Sequence, residues 1–139
     1  MSAIRYVALT VAILSGFAVA ADRPLVGEFA GTGRACSGGL FIRSRTIEWN
    51  STYSICRPSR YDVLERGLDG DRRRIVYRLK QRSSRCRFEV VEVEQASRYN
   101  WNVSGYPSFE AFEKRALPDW RNSSRPERQV LSCPMTGPD

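Results

Sequence analysis

Between Arg74 and Lys80 the chain alternates: Ile75, Tyr77 and Leu79 are apolar, while Arg74, Arg78 and Lys80 are charged, with Val76 on their side. A period of two is the signature of a strand with one face buried. It recurs in Phe88-Glu89-Val90, in Val91-Glu92-Val93-Glu94 and in Tyr99-Asn100-Trp101-Asn102-Val103. The phase slips at Val90-Val91, so one extra residue, a β-bulge, is expected there. Asp69-Gly70 is a tight-turn pair leading into the Ile75 strand, and Gln81–Cys86 is a hairpin loop leading out of it.

Shorter strand signals precede this block. Leu25–Ala30 runs into Gly31-Thr32-Gly33; Leu40-Phe41-Ile42 and Thr46–Trp49 are parted by Arg43-Ser44-Arg45; Tyr53–Cys56 follows a turn at Asn50-Ser51-Thr52. Pro58-Ser59 is read as a break before Tyr61–Glu65. One helix is predicted from Phe109 to Leu117, capped by Ser108 and ended by Pro118, with Phe109, Phe112 and Ala116 on one face. Glu110 and Lys114 are spaced for an i, i+4 ion pair. Gln129–Cys133 is a last strand, and the tail from about residue 134 is expected to be loose. Six to eight short strands with one helix in the C-terminal half imply a mainly β protein, a small antiparallel barrel or sandwich.

Four cysteines, Cys36, Cys56, Cys86 and Cys133, stand in this frame with no histidine. Without a CxxC pair or a histidine, zinc has no suitable ligand set. Two disulfides are expected instead, with Cys36–Cys56 and Cys86–Cys133 as the preferred pairing of the three possible. The N-terminus agrees. Arg5 is the only charge before Asp22, Tyr6–Val19 is apolar or small, and Ala18-Val19-Ala20 is a small-residue exit. These are the parts of a secretory signal peptide. Ser15 and Gly16 interrupt a stretch already too short for a membrane span. The expected organisation is a signal peptide over residues 1–20 and one β-rich domain over 21–139, with no transmembrane segment after cleavage. The product would be periplasmic or secreted, where disulfides persist.

The absent histidine removes Ser-His-Asp and Cys-His catalysis. Carboxylate pairs are what remains for an enzyme, but Glu89, Glu92, Glu94, Glu110 and Glu113 sit in strand or helix patterns that read as solvated faces. The glycines match no phosphate-binding loop. No catalytic residue, metal or cofactor is therefore assigned. The chain carries a formal net charge of +7, and only Lys80 and Lys114 are lysines. Such charge favours anionic partners; export and the lack of a matching motif argue against nucleic acid.

Two short resemblances accompany this reading. Gly27-Glu28-Phe29 resembles the glycine-x-aromatic opening of lipocalins, in a chain shorter than a typical lipocalin. Ser104-Gly105 resembles the Ser-Gly loop with which periplasmic lysozyme inhibitors of the C-type family enter an active-site cleft, and that family consists of small, exported, disulfide-bonded β-barrels. Tyr106 replaces the family's basic residue after the loop glycine, and like charge would slow encounter with a cationic lysozyme. The other reading of Ser104–Pro107 is a turn before the helix. Candidate partner-binding residues are thus Arg72 and Arg73 beside the Asp69-Gly70 turn, Ser104, Gly105 and Tyr106, and Trp120 as an exposed aromatic. Trp49 and Trp101 are assigned to the core. The expected function is a non-enzymatic binding protein, inhibitors and toxin-neutralising proteins included, that recognises an acidic protein or an anionic envelope component through Arg-rich loops. The alternatives are a structural envelope protein held to anionic glycan or lipid, and a hydrolase using carboxylates.

Overall fold

A computed structural model describes residues 24–117 and 129–139. The signal-like segment and Trp120 lie outside the described residues. Eight strands form a closed antiparallel barrel, each paired with its neighbours in chain order. They are β1 (Gly27–Gly31), β2 (Gly38–Ile42), β3 (Thr46–Asn50), β4 (Ile55–Asp69), β5 (Arg72–Leu79), β6 (Val90–Ser97), β7 (Asn100–Tyr106) and β8 (Leu131–Thr136). One helix, α1 (Phe109–Lys114), follows β7. It stops three residues earlier than the sequence predicts, and the Ser108 side chain caps it by accepting from the Ala111 N–H at 3.0 Å. The Glu110–Lys114 pair forms at 2.7 Å.

The alternating residues fill the barrel. Phe29, Leu40, Ile42, Ile47, Trp49, Ile75, Tyr77, Val91, Val93, Trp101 and Val103 belong to one buried cluster. Trp49 stacks on Phe88 at 4.9 Å between ring centroids, and Phe29 meets Trp101 edge-on at 5.2 Å. The interior is a packed core, as a barrel of this strand number permits. Gly105 belongs to the same packing. A Cβ placed there would lie 2.6 Å from the Phe88 ring and 2.8 Å from Trp49, so only glycine leaves room for that stack.

The phase slips one step before Val90-Val91: Phe88 lies in the barrel core and Val90 on the outer face, with Glu89 N–H donating to the O of Tyr106, the residue paired with Val90. β5 and β6 pair in unbroken register through Arg78↔Val90 and Tyr77↔Val91. Val91 points into the barrel, whereas Val90 and Val76 point outwards and are buried under α1 with Tyr106 and Phe112. This stretch of wall is apolar on both faces because each face is covered. Pro58 is another correction: it lies within β4, where Cys56 faces Trp49 and Ser59 faces Ile47. Two β4 residues, Arg57 and Pro58, therefore stand opposite Glu48, a bulge that accommodates a residue with no N–H. The residues expected to be a loose tail are also placed. Pro134–Thr136 belong to β8, Gly137 N–H donates to Tyr99 O at 2.9 Å, and Trp101 Nε1–H donates to Pro138 O at 2.7 Å.

All four cysteines are bridged, but as Cys36–Cys133 and Cys56–Cys86. The expected pairing fails because nearness in sequence is not nearness in an up-and-down barrel. Cys36, in the β1–β2 connection, lies beside β8 across the closing seam, which holds only two register pairs, Ala30↔Thr136 and Gly31↔Met135. Cys56, the second residue of β4, meets Cys86 in the β5–β6 connection.

Candidate functional site

Antiparallel order sends alternate connections to opposite ends of the barrel. One end carries Arg43–Arg45, the Gly70-Asp71 turn with Gly70 at φ 63°, and the Arg98-Tyr99 turn. The other end carries the longer connections 32–37, 51–54 and 80–89, the β7–β8 excursion with α1, and both disulfides. We call this the open end.

At the open end the β5–β6 connection is fastened along the start of β4. The Arg87 N–H donates to Ser54 Oγ at 3.0 Å, and the Ile55 N–H donates to Arg85 O at 3.1 Å. The Arg57 N–H donates to Ser83 Oγ at 3.2 Å, and that hydroxyl donates to Ile55 O at 3.1 Å. The Cys56–Cys86 bridge ties the same two segments. A pocket of about 270 Å³ opens beside this strip, lined by Ser51, Tyr53, Ser54, Arg87, Phe88 and Val130 among others. A second recess of about 330 Å³ is walled by Ile55, Arg57, Ser83, Ser84 and Arg85.

Segments 32–37, 51–57 and 81–87 together contain Arg34, Arg57, Arg82, Arg85 and Arg87 and no Asp or Glu. Arg82 donates to Pro107 O at 2.8 Å. The exposed guanidinium groups of Arg57, Arg85 and Arg87 have no ion pair among the described residues. Arg45, Arg60, Arg66 and Arg72 are likewise without an ion pair among the described residues; what sets these three apart is that the Cys56–Cys86 bridge and the hydrogen-bonded strip hold them together beside the two recesses.

The contrast is sharpest on the outer wall. Arg74 holds Glu92 through Nε at 2.9 Å and also through Nη2, and it holds Glu65 through Nη1 at 2.6 Å. Arg78 donates to Glu89 at 2.9 Å and lies over the Phe109 ring at 4.7 Å. Arg115 lies over Phe112 at 3.8 Å, and Tyr106 donates to Glu92 at 3.3 Å. Burial, then the Glu92 charge, pushes the Tyr106 phenol up to about 12. Burial opposes charge on Arg74, but hydrogen bonds to Glu65 and Glu92 prevail and raise its pKa. This network clamps α1 to the barrel. For Arg74 and Arg78 the pairing is cross-strand, to Glu92 and Glu89, whereas Lys80 turns to Asp62 on β4.

The partner residues read from the sequence do not gather at one place. Arg72 is exposed and Arg73 half-buried beside the β4–β5 turn, at the end opposite the disulfides. Ser104, Gly105 and Tyr106 close β7 as strand and not as a loop. Ser104 Oγ meets Ser132 Oγ at 3.0 Å, Gly105 faces the core, and Tyr106 is covered by α1. The residues that do converge, Tyr53, Arg57, Arg85 and Arg87, form no run or motif in the sequence. A signal for them exists: arginines flank Cys36, Cys56 and Cys86 at Arg34, Arg57, Arg85 and Arg87, with no acid nearby. Among the described residues no helix is long and apolar enough to cross a membrane. Comparison with protein-family models, with curated proteins and with solved structures gives no match.

Proposed function

We propose that this is an exported, non-enzymatic binding protein that recognises an acidic protein partner through the open end of its barrel. The observation that carries the reading is the set of uncompensated guanidinium groups, Arg57, Arg85 and Arg87, held beside a pocket by a disulfide and a hydrogen-bonded strip. Guanidinium forks suit carboxylates, and fixing their backbone before binding lowers the ordering cost. Two disulfides favour an oxidising compartment, periplasmic or extracellular. Glu65 and Glu92, which converge on the outer wall, spend their oxygens on Arg74 as counter-ions and not on a substrate cleft.

A second reading, a structural protein held to anionic glycan or lipid, draws on the same charge but needs no shaped site. The two separate on salt. A polyanion contact fades steeply as ionic strength screens exposed charges, whereas a packed protein interface persists. Capture from an envelope extract with immobilised residues 21–139 is expected to yield a stoichiometric protein complex at physiological salt. The complex should be lost in Arg57→Gln/Arg85→Gln/Arg87→Gln and kept in Arg72→Gln/Arg73→Gln. Retention of polyanion alone, eluting at moderate salt, contradicts the leading reading.

A further inference from the structure

The two recesses at the open end differ in chemistry and share one wall. The first presents Phe88, Val130, Leu131 and the exposed Tyr53 ring, with Ser51, Ser54 and Arg87 at its polar side. The second presents two guanidinium groups and two serine side chains, with no carboxylate in its lining. The hydrogen bonds from Arg87 to Ser54, Ile55 to Arg85 and Arg57 to Ser83 order them along a single strip, apolar recess first. Ser54 and Arg57 are three residues apart on extended chain, a span of about 10 Å. Two or three residues of an extended ligand cover the same span. At about 270 and 330 Å³ the recesses lie at or below the small end of drug-sized sites, and each suits one side chain.

We infer that the open end is a bipartite site for an acidic peptide segment, in which an aliphatic or aromatic side chain enters the Phe88 recess and carboxylates two or three residues away meet Arg57 and Arg85. The inference rests on the reading of the open end as the binding face and adds the apolar anchor. Charge complementarity selects the acidic side chains. The apolar recess selects peptide over anionic glycan, because a glycan would use the arginines and leave the Phe88 recess empty.

The test is an NMR titration of isotopically labelled residues 21–139 with three probes: the peptides Gly-Leu-Gly-Asp-Asp-Gly and Gly-Ala-Gly-Asp-Asp-Gly, and heparin. The leucine peptide is expected to bind about tenfold more tightly than the alanine peptide, the gain from burying two or so extra methylene equivalents. Its shifts should fall on Tyr53, Ser54 and Phe88 as well as on Arg57 and Arg85. Arg57→Gln/Arg85→Gln should weaken both peptides and keep their ratio. Equal affinities, with shifts confined to Arg57, Ser84 and Arg85, would overturn the bipartite site and leave the cationic open end standing. Heparin shifting those residues while neither peptide does would also overturn it, in favour of a glycan. No shift at the open end with any probe overturns both readings.

Discussion

The Cys36–Cys133 bridge is the clasp of the barrel, and removing it should do more than lower stability. The bridge joins residues 97 apart, against 30 for Cys56–Cys86, and the smaller loop is nested inside the larger. On the loop-closure model the inner bridge alone contributes about 3.7 kcal/mol. With the inner loop already closed, the outer bridge spans about 70 effective residues and still contributes about 4.4 kcal/mol. Cys36→Ser/Cys133→Ser is therefore expected to lose about 4 kcal/mol, a large share of the ~5–15 kcal/mol typical of a domain. The β1–β8 seam would then depend on its two register pairs, aided by the Trp101–Pro138 and Gly137–Tyr99 hydrogen bonds nearby. Guanidinium unfolding of the oxidised domain measures the loss. Amide hydrogen exchange locates it, with protection falling first in β1 and β8 while β4–β7 retain theirs. Cys56→Ser/Cys86→Ser should instead loosen 54–57 and 81–87. A loss below about 1 kcal/mol for the Cys36 pair, or protection lost first at β4–β5, would refute the clasp.

Other expectations follow from the packing and the clamp. Gly105→Ala forces a methyl against the Phe88–Trp49 stack and should cost about 1–3 kcal/mol in denaturant unfolding; a neutral result would show that the stack yields freely. Phe112→Ala empties the contact beneath α1 and should cost about 3 kcal/mol, with exchange protection lost in α1 and kept in the barrel interior. The Tyr106 phenol, raised to about 12 from an unfolded value near 10, prefers its proton in the folded state. Stability from this group is thus complete below about pH 10 and lost as pH rises through about 12. Burial raises the Tyr77 phenol as well, so Tyr106→Phe should lessen the alkaline decline in urea unfolding without abolishing it, and an unchanged decline would remove Tyr106 as a contributor.

Most of the barrel was legible because its inward rows obey the strand period: Ile75-Tyr77-Leu79, Val91-Val93 and Trp101-Val103 were assigned by alternation alone. What stayed hidden depended on distant elements. Val76 and Val90 are apolar on the outer face because α1, which follows both in the chain, covers the wall there. Pro58 reads as a break because the bulge that accommodates it is a property of pairing with β3. The disulfide partners follow from barrel closure, which brings Cys133 on β8 to Cys36 and has no mark in local sequence. At the candidate site the difficulty was similar. Arg72 and Arg73 stand out as a run, whereas Arg57, Arg85 and Arg87 come from two segments and become a cluster only when the Cys56–Cys86 bridge joins them. Ser104-Gly105 looks like a loop motif, yet its glycine is required by an aromatic stack inside the barrel.

Binding at the open end is decided by hydrogen exchange of residues 21–139, alone and in complex with the partner captured from the envelope. New protection is expected at 51–57 and 81–87, with Arg72, Arg73 and the turn at Gly70-Asp71 unchanged. Protection confined to the β4–β5 turn or to α1, with the open end exchanging as in the free protein, would contradict it.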